Sequence, residues 1–137
     1  MENGLQQKCG DWKYKIPINH PVEFPEKKYS IDPYVIGAFL GEGCCLEDAL
    51  TLSGKDEEII SEVSNLIGAK KYSKSCDKNY SWNFYFTEKS GIKGVKCRIL
   101  TKDLFKDFKQ ELCTDSANKR IPKIYKLGSI EQRLNLL

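Results

Sequence analysis

The residues best suited to chemistry lie close together in an apolar stretch, IDPYVIGAFLGEGCC, which runs from Ile31 to Cys45. Gly37 and Gly41 are four residues apart, and the acid Glu42 follows the second glycine. Residues four apart share one face of a helix, so the two missing side chains would let another main chain approach closely. A carboxylate at a helix C-terminus lies beside unpaired carbonyl groups, and we expect a bound metal ion to balance it. The stretch therefore predicts a helix-contact face that ends in a metal-binding carboxylate.

The start of this helix is signalled by two neighbouring residues. Asp32 is a favourable N-cap, and Pro33 suits the first turn, where a proline loses only an amide that has no partner in the helix. The residues from Tyr34 to Leu40 are all apolar or glycine, which is typical of a helix buried between two protein surfaces. A glycine inside a helix costs about 1 kcal/mol relative to alanine. We expect that close contact with another helix offsets this cost.

The elements that must position this helix are read from periodicity and turn residues. The run CLEDALTLSG favours a strand or a hairpin that turns at Glu47 and Asp48. A second helix is predicted over Glu57–Ile67, with Gly68 as its stop, and a third over Thr101–Leu112. Further predictions are strands at Lys70–Ser75 and Tyr80–Thr87, a short strand or helix lead-in at Val95–Leu100, and a last helix capped by Ser129. The order of these elements predicts an α+β fold.

Alternation along Tyr80–Thr87 divides that strand into a core face and a polar face. Aromatic side chains occupy one face, and Asn83 and Tyr85 belong to the other, beside several lysines. A two-stranded ribbon of this kind fits the major groove of DNA, although an ordinary half-exposed sheet gives the same pattern. The DNA-binding candidates are Lys70, Lys71, Lys74, Lys78, Asn83, Tyr85, Lys89 and Lys93.

Charge is divided unevenly along the chain. Residues 1–68 contain 6 lysines and 12 acids, a net charge of −6, whereas residues 69–126 contain 15 lysines and arginines and 6 acids, a net charge of +9. Clustered basic residues are typical of a nucleic-acid-binding face, because phosphates must be neutralised on one surface. The alternative is that these lysines only solvate exposed helices and strands.

Length and composition predict one soluble domain. The chain has 137 residues, 40% of them hydrophobic, and no run of about eighteen apolar residues that would predict a membrane span. Residues 1–30 contain three of the five prolines and are expected to form an extended leading segment before a single domain at 31–137. The N-terminus has no secretory signal pattern, which favours the cytoplasm. Six cysteines without a CxxC pair, and one histidine, favour reduced thiols over a zinc site.

The nine residues VIGAFLGEG, from Val35 to Gly43, resemble the LAGLIDADG motif of homing endonucleases. Gly37, Gly41, Glu42 and Gly43 match the third, seventh, eighth and ninth positions of that motif. The preceding run KIPINHPVEFPEKKYSIDPY is similar to the lead-in of intein-encoded endonuclease domains, and KRIPKIYKLGSIEQRLNLL is similar to the segment before the second motif in two-motif members. The three matches together flank almost the whole chain.

This resemblance implies an αββαββα half-domain with an antiparallel DNA-binding sheet backed by helices. It implies that Glu42 is catalytic, that Glu42 and Gly41 bind Mg²⁺ shared with a second motif, and that Gly37, Gly41, Ile36 and Leu40 form a helix–helix interface. The implied activity is metal-dependent, site-specific hydrolysis of double-stranded DNA. Because two carboxylates can hold divalent metals that activate water, one motif supplies only half of such a site.

Three hypotheses follow from the resemblance. The first is the N-terminal half of a two-motif, intein-associated endonuclease, truncated before its second motif and inactive when isolated. The second is a complete one-motif endonuclease that pairs Glu42 with its symmetry mate in a homodimer. The third is a non-catalytic DNA-binding module of the same fold. The expected partners are therefore double-stranded DNA and either a second LAGLIDADG half or a homodimer mate, with no membrane.

Overall fold

A computed structural model describes residues 19–46, 49–74, 80–86 and 104–137 of the chain. The helices in these residues are α1 (Pro33–Glu42), α2 (Glu57–Leu66), α3 (Lys109–Leu112) and α4 (Ile130–Leu134), with 3₁₀ turns at Lys106–Phe108 and Tyr125–Leu127. The strands are β1 (Gly43–Leu46), β2 (Ala49–Ser53), β3 (Lys71–Lys74) and β4 (Ser81–Tyr85). The predicted α+β class is confirmed. The predicted element at 95–100 and the leading residues 1–18 lie outside the described ranges.

Helix α1 begins as its sequence predicts. The Asp32 carboxylate accepts a hydrogen bond of 2.8 Å from the Tyr34 amide, and Pro33 occupies the first turn. The side chains of Val35, Ile36 and Phe39 are 0% exposed. Strand β1 follows α1 without a loop, so the orientation of the helix end is fixed directly by the sheet.

The four strands form one antiparallel sheet in the order β1-β2-β4-β3. Strands β1 and β2 form the predicted hairpin, with Cys45 paired to Leu50, although its turn residues 47 and 48 lie outside the described ranges. Strand β2 pairs with β4 in the centre of the sheet, and β3 pairs with β4 at the edge. Helix α2 connects β2 to β3, and Gly68 lies just beyond its end with a φ of +70°, which explains why a glycine stops this helix.

The core lies between one face of the sheet and the helices. Phe39 of α1 is at its centre, with its ring 6.3 Å from that of Phe84 and 5.2 Å from that of Phe105. The predicted inward residues Phe105, Phe108 and Leu112 are buried. Residues 101–103 of the predicted helix lie outside the described ranges, and in the part that is described a 3₁₀ turn precedes α3. A 3₁₀ turn superimposes residues three apart, which lets both phenylalanines enter the same core.

The C-terminal segment is held against the leading segment. Tyr125 donates a hydrogen bond of 2.7 Å to the Ile31 carbonyl, and its ring stacks on that of Tyr29 with centroids 4.3 Å apart. The Gln132 side chain accepts from the Lys27 amide at 3.1 Å and donates to the Lys27 carbonyl at 2.6 Å. Residues 19–30 contain no helix or strand.

Candidate functional site

The two glycines of α1 have different surroundings. A Cβ atom built on Gly37 would lie 2.8 Å from the carbonyl carbon of Leu136 and 3.2 Å from its Cα. A Cβ atom built on Gly41 would meet no other atom within 4 Å. The face predicted for helix contact is therefore occupied at Gly37 by the main chain just after α4 and is open at Gly41.

The other two residues predicted for the helix interface are directed into this chain's own core. Ile36 is fully buried in the hydrophobic core, and Leu40 is half-buried against it. In this structure Ile36 is a core residue and not part of an accessible contact face. The sequence did not reveal this placement, because α1 is apolar on all sides and periodicity does not distinguish them.

The backbone after Glu42 needs a glycine. Glu42 is the last residue of α1, and Gly43 starts β1 with extended backbone. A Cβ atom on Gly43 would come within 2.8 Å of Cγ of the Phe39 ring, which is itself buried in the core. The tight change from helix to strand therefore depends on Gly43, and it places the Glu42 carboxylate in an exposed position at the helix end.

A lysine supplies positive charge at the same helix end. The Lys119 ammonium donates a hydrogen bond of 2.8 Å to the Phe39 carbonyl and a second one to the Gly43 carbonyl. The Phe39 carbonyl also accepts a hydrogen bond from the Gly43 amide, and the Lys119 cation opposes the negative end of the helix dipole. The sequence prediction assigned this charge to a metal ion alone. Lys119 was missed because it lies 80 residues from Phe39 along the chain, and its only signal is the basic run KRIP.

A cleft of about 340 Å³ borders the open part of α1. Gly41 and Glu42 line one side of it, Ser53 and Asp56 another, and Leu136 closes the end near Gly37. The cleft therefore extends along the glycine face of α1, from Gly37, where Leu136 covers the helix, to Glu42 at the helix end.

The polar face of the sheet brings three of the predicted DNA-binding residues together. Lys71 and Tyr85 are paired in register, and the Lys71 ammonium lies 5.2 Å from the centre of the Tyr85 ring. Asn83 follows on the same face, where the Thr51 hydroxyl donates a hydrogen bond of 3.1 Å to its Oδ1 atom. This bond leaves the Asn83 Nδ2 group as the donor that can reach a ligand.

The remaining predicted lysines are distributed differently. Lys74 pairs in register with Trp82 and lies on the opposite face of the sheet, with its ammonium 4.9 Å from the Trp82 ring centre. Its assignment to the polar face is corrected, because side chains alternate along β3 and Lys71 already occupies that face. Lys70 is exposed just before β3, where its amide bonds the Tyr85 carbonyl at 2.7 Å. Lys78, Lys89 and Lys93 lie outside the described ranges.

The described residues alone do not complete a magnesium site. Over residues 19–46, 49–74, 80–86 and 104–137, no group of three or more His, Cys, Asp and Glu side chains is arranged to hold a metal ion. Of the predicted ligands, this chain offers the Glu42 carboxylate and the Gly41 carbonyl, whereas Mg²⁺ requires about six oxygen ligands including waters.

Within the same described residues, no helix combines the length and the apolar character needed to cross a bilayer. Comparison of the chain with protein-family models, with curated proteins and with solved structures finds no match.

Proposed function

We propose that this chain supplies one half of a LAGLIDADG-type DNA endonuclease site, with Glu42 as one of two carboxylates. The second carboxylate comes from a second motif helix that lies along the open glycine face of α1. In this arrangement Mg²⁺ is shared between the two halves, and the substrate is double-stranded DNA bound by the polar face of the sheet. The chain alone, with one carboxylate, does not cleave DNA.

The observation that carries the proposal is the packing of Gly37 against the main chain of Leu136. Main chains approach this closely only where a side chain is missing, and motif helices of the family pack through small residues. Leu136 belongs to the run that resembles the lead-in to a second motif. The open cleft from Gly41 to Glu42 continues the same face, and the proposal places the second helix there.

The sheet supports the DNA-binding part of the proposal. Lys71 carries a positive charge suited to a phosphate, and the Asn83 amide can donate to the edge of a base. Cys44, Thr51, Asn83 and Ser73 are consecutive neighbours across the four strands, so this face is polar along its whole width. The acid end of α1 leads directly into β1 of the same sheet.

A non-catalytic DNA-binding module is the second candidate, and one observation favours it. Lys119 already satisfies the carbonyls at the end of α1, so the helix end is stable without a metal ion. In that case Glu42 would be an ordinary exposed residue. The homodimer hypothesis differs in requiring a second copy of α1 to enter the cleft beside Gly41, or to displace Leu136 from Gly37.

The decisive experiment supplies the second helix. A second copy of Ile36–Gly43 placed directly after Leu137 would add a second helix with two glycines on one face and a glutamate at its end. Binding of Mn²⁺, used as a probe for Mg²⁺, is then measured by electron paramagnetic resonance. We expect the extended chain to bind the ion and the original chain to bind it much more weakly. Substitution of either glutamate by glutamine should abolish the difference, whereas Glu58→Gln on α2 should not.

Two outcomes decide between the candidates. Equal Mn²⁺ binding by the extended chain and its Glu42→Gln variant would remove Glu42 from any metal site and leave the DNA-binding module. Magnesium-dependent plasmid cleavage by the original chain, with a rate that rises with the square of its concentration, would favour the homodimer.

A further inference from the structure

Two lysine ammonium groups lie close to an exposed tyrosine ring at one end of the sheet. Tyr80 immediately precedes β4, and its side chain is 51% exposed. The Lys55 ammonium lies 5.3 Å from the centre of the Tyr80 ring, and the Lys74 ammonium lies 5.9 Å from it. Lys74 ends β3 and Lys55 follows β2, so the fold brings together residues from three separate segments.

The buried part of the sheet fixes the main chain of this cluster. The Gly54 amide donates a hydrogen bond of 2.7 Å to the Tyr80 carbonyl, and the Gly54 carbonyl accepts one of 3.0 Å from the indole Nε1 of Trp82. Trp82 is buried, and its ring centre lies 4.9 Å from the Lys74 ammonium. Lys55 directly follows Gly54. The positions of Tyr80 and Lys55 therefore depend on the buried Trp82, although both of their side chains are exposed.

This cluster lies away from the polar face of the sheet. Lys74 pairs in register with Trp82, and its ammonium is close to the rings of both Trp82 and Tyr80. Asn83 and Lys71 of the polar face lie on the other side of the sheet, because side chains alternate along each strand. The cluster is therefore separate from the surface to which the proposed function assigns duplex DNA.

The chemistry of the cluster fits an unpaired nucleotide. An exposed tyrosine ring can stack on the face of a nucleobase, and ammonium groups beside the ring can bind the phosphates that flank the base. Neighbouring bases cover both faces of a base inside a duplex, so only a single strand offers a base face to this ring. Glu57 and Glu58 follow Lys55 in the first turn of α2, so the positive charge does not continue along that helix. Two lysines suit the phosphates around one base, whereas a duplex backbone needs a more extended basic surface.

We propose that Tyr80, Lys55 and Lys74 form a binding site for single-stranded nucleic acid, in which a base stacks on Tyr80 and the lysines bind the adjoining phosphates. This site goes beyond the proposed endonuclease half-site, because it involves neither Glu42 nor the polar face of the sheet. Single strands of DNA and of RNA share the chemistry that the site recognises.

Fluorescence anisotropy with short labelled oligonucleotides tests the site on the unmodified chain. The probes are oligothymidylate, oligouridylate and an abasic strand with the same number of phosphates. We expect the strands with bases to bind on the order of tenfold more tightly than the abasic strand, which cannot stack on Tyr80. Tighter binding of oligothymidylate would identify DNA as the ligand, tighter binding of oligouridylate would identify RNA, and equal binding would mean that the site accepts both.

Variants separate stacking from charge. Tyr80→Ala should weaken binding to the strands with bases on the order of tenfold, whereas Tyr80→Phe keeps the ring and should bind as the unmodified chain does. Lys55→Gln and Lys74→Gln should each reduce the slope of log affinity against log salt concentration by about 0.7. Lys123→Gln, at an exposed position in the C-terminal segment, is the control and should change neither quantity. Binding of duplex DNA should be insensitive to Lys74→Gln, since a duplex leaves no base face free for Tyr80.

A photocrosslink locates the base without any substitution in the protein. An oligonucleotide that contains 5-iodouracil should crosslink to Tyr80, and peptide mapping by mass spectrometry identifies the residue. Equal binding of the abasic strand, unchanged binding by Tyr80→Ala or a crosslink only to other residues would overturn the site, as would the absence of single-strand binding. These outcomes leave the proposed half-site untouched, because the measurements use neither a metal ion nor Glu42.

Discussion

The main chain of Leu136 packs so closely against Gly37 that a Cβ atom on the glycine would lie 2.8 Å from the Leu136 carbonyl carbon. This contact joins α1 to the residues that follow α4. Helix α4 is itself bound to the leading segment through the hydrogen bonds between Gln132 and Lys27. The glycine face of α1, the C-terminal segment and residues 27–29 therefore form one packed unit beside the candidate site. Several measurements can test how this unit is held together.

Replacement of Gly37 by alanine should destabilise the fold, whereas the same change at Gly41 should not. The new methyl group at Gly37 would overlap the Leu136 carbonyl, and such overpacking costs about 1–3 kcal/mol. At Gly41 the methyl group meets open space, and alanine is favoured over glycine in a helix by about 1 kcal/mol. Urea unfolding midpoints of the two variants provide the measurement. Equal effects would show that Leu136 does not dock on Gly37 in solution.

Replacement of Lys119 by methionine should loosen the end of α1. Methionine keeps a flexible apolar stem but removes the charged donor that the Phe39 and Gly43 carbonyls share, and a hydrogen bond to a charged group contributes about 1.5–3 kcal/mol. Thermal unfolding should show a lower Tm, and hydrogen exchange should accelerate in the last turn of α1. Lys123→Met, at an exposed position in the same segment, is the matched control and should change little. A similar loss in both variants would contradict the capping role.

The loss of the Gln132 side chain should release the leading segment. Gln132 closes a capping box with Ser129 and also bonds both main-chain groups of Lys27, so alanine removes a helix cap and a connection between the two ends of the domain. We expect a destabilisation of about 1–2 kcal/mol and faster trypsin cleavage after Lys27 or Lys28. Gln110→Ala on the exposed side of α3 is the control. Unchanged cleavage in Gln132→Ala would mean that the leading segment is held by other contacts.

Stability should fall in alkaline solution partly through Tyr125. Burial raises the pKa of Tyr125 from 10.0 to about 12, so the folded state favours the neutral hydroxyl. The contribution of the neutral Tyr125 hydroxyl to the free energy of unfolding is fully present below pH 10 and is lost as the pH rises through about 12. Over that range the free energy of unfolding falls with a limiting slope of about 1.4 kcal/mol per pH unit. Urea unfolding between pH 9 and 12 should show a shallower decline for Tyr125→Phe. Parallel declines in the two proteins would exclude Tyr125 as a titrating group.

The two faces of β3 should respond differently to the loss of a lysine. Lys71 lies on the polar face beside Tyr85, whereas Lys74 lies on the other face over Trp82. Under the proposed function, Lys71→Gln should weaken binding to a generic DNA duplex and reduce its dependence on salt concentration by about one counterion. Lys74→Gln removes the same charge and serves as the control. Fluorescence anisotropy measures both, and equal losses would show that the polar face is not the DNA contact.

Local sequence patterns were sufficient to predict much of the fold. The Asp32 cap with Pro33, the apolar spacing of α2 with its Gly68 stop, and the hairpin around 47–48 each depend on residues within a few positions of one another. Hydrogen-bonded caps and side-chain periodicity act over this range, so the sequence carries them directly. The face of each residue in β4 followed from the same alternation, as the burial of Trp82 and Phe84 shows.

What the sequence by itself determined is therefore a helix with two glycines on one face and an acid at its end, followed by strands of which one has a polar face. Only the tertiary structure decided that Leu136 covers Gly37 and that Lys119 holds the end of α1. Each of these contacts joins residues 76 to 99 positions apart, and no local periodicity encodes such a distance. They arise because α1 is apolar on several sides, and the packing of the whole core selects which segment covers each side.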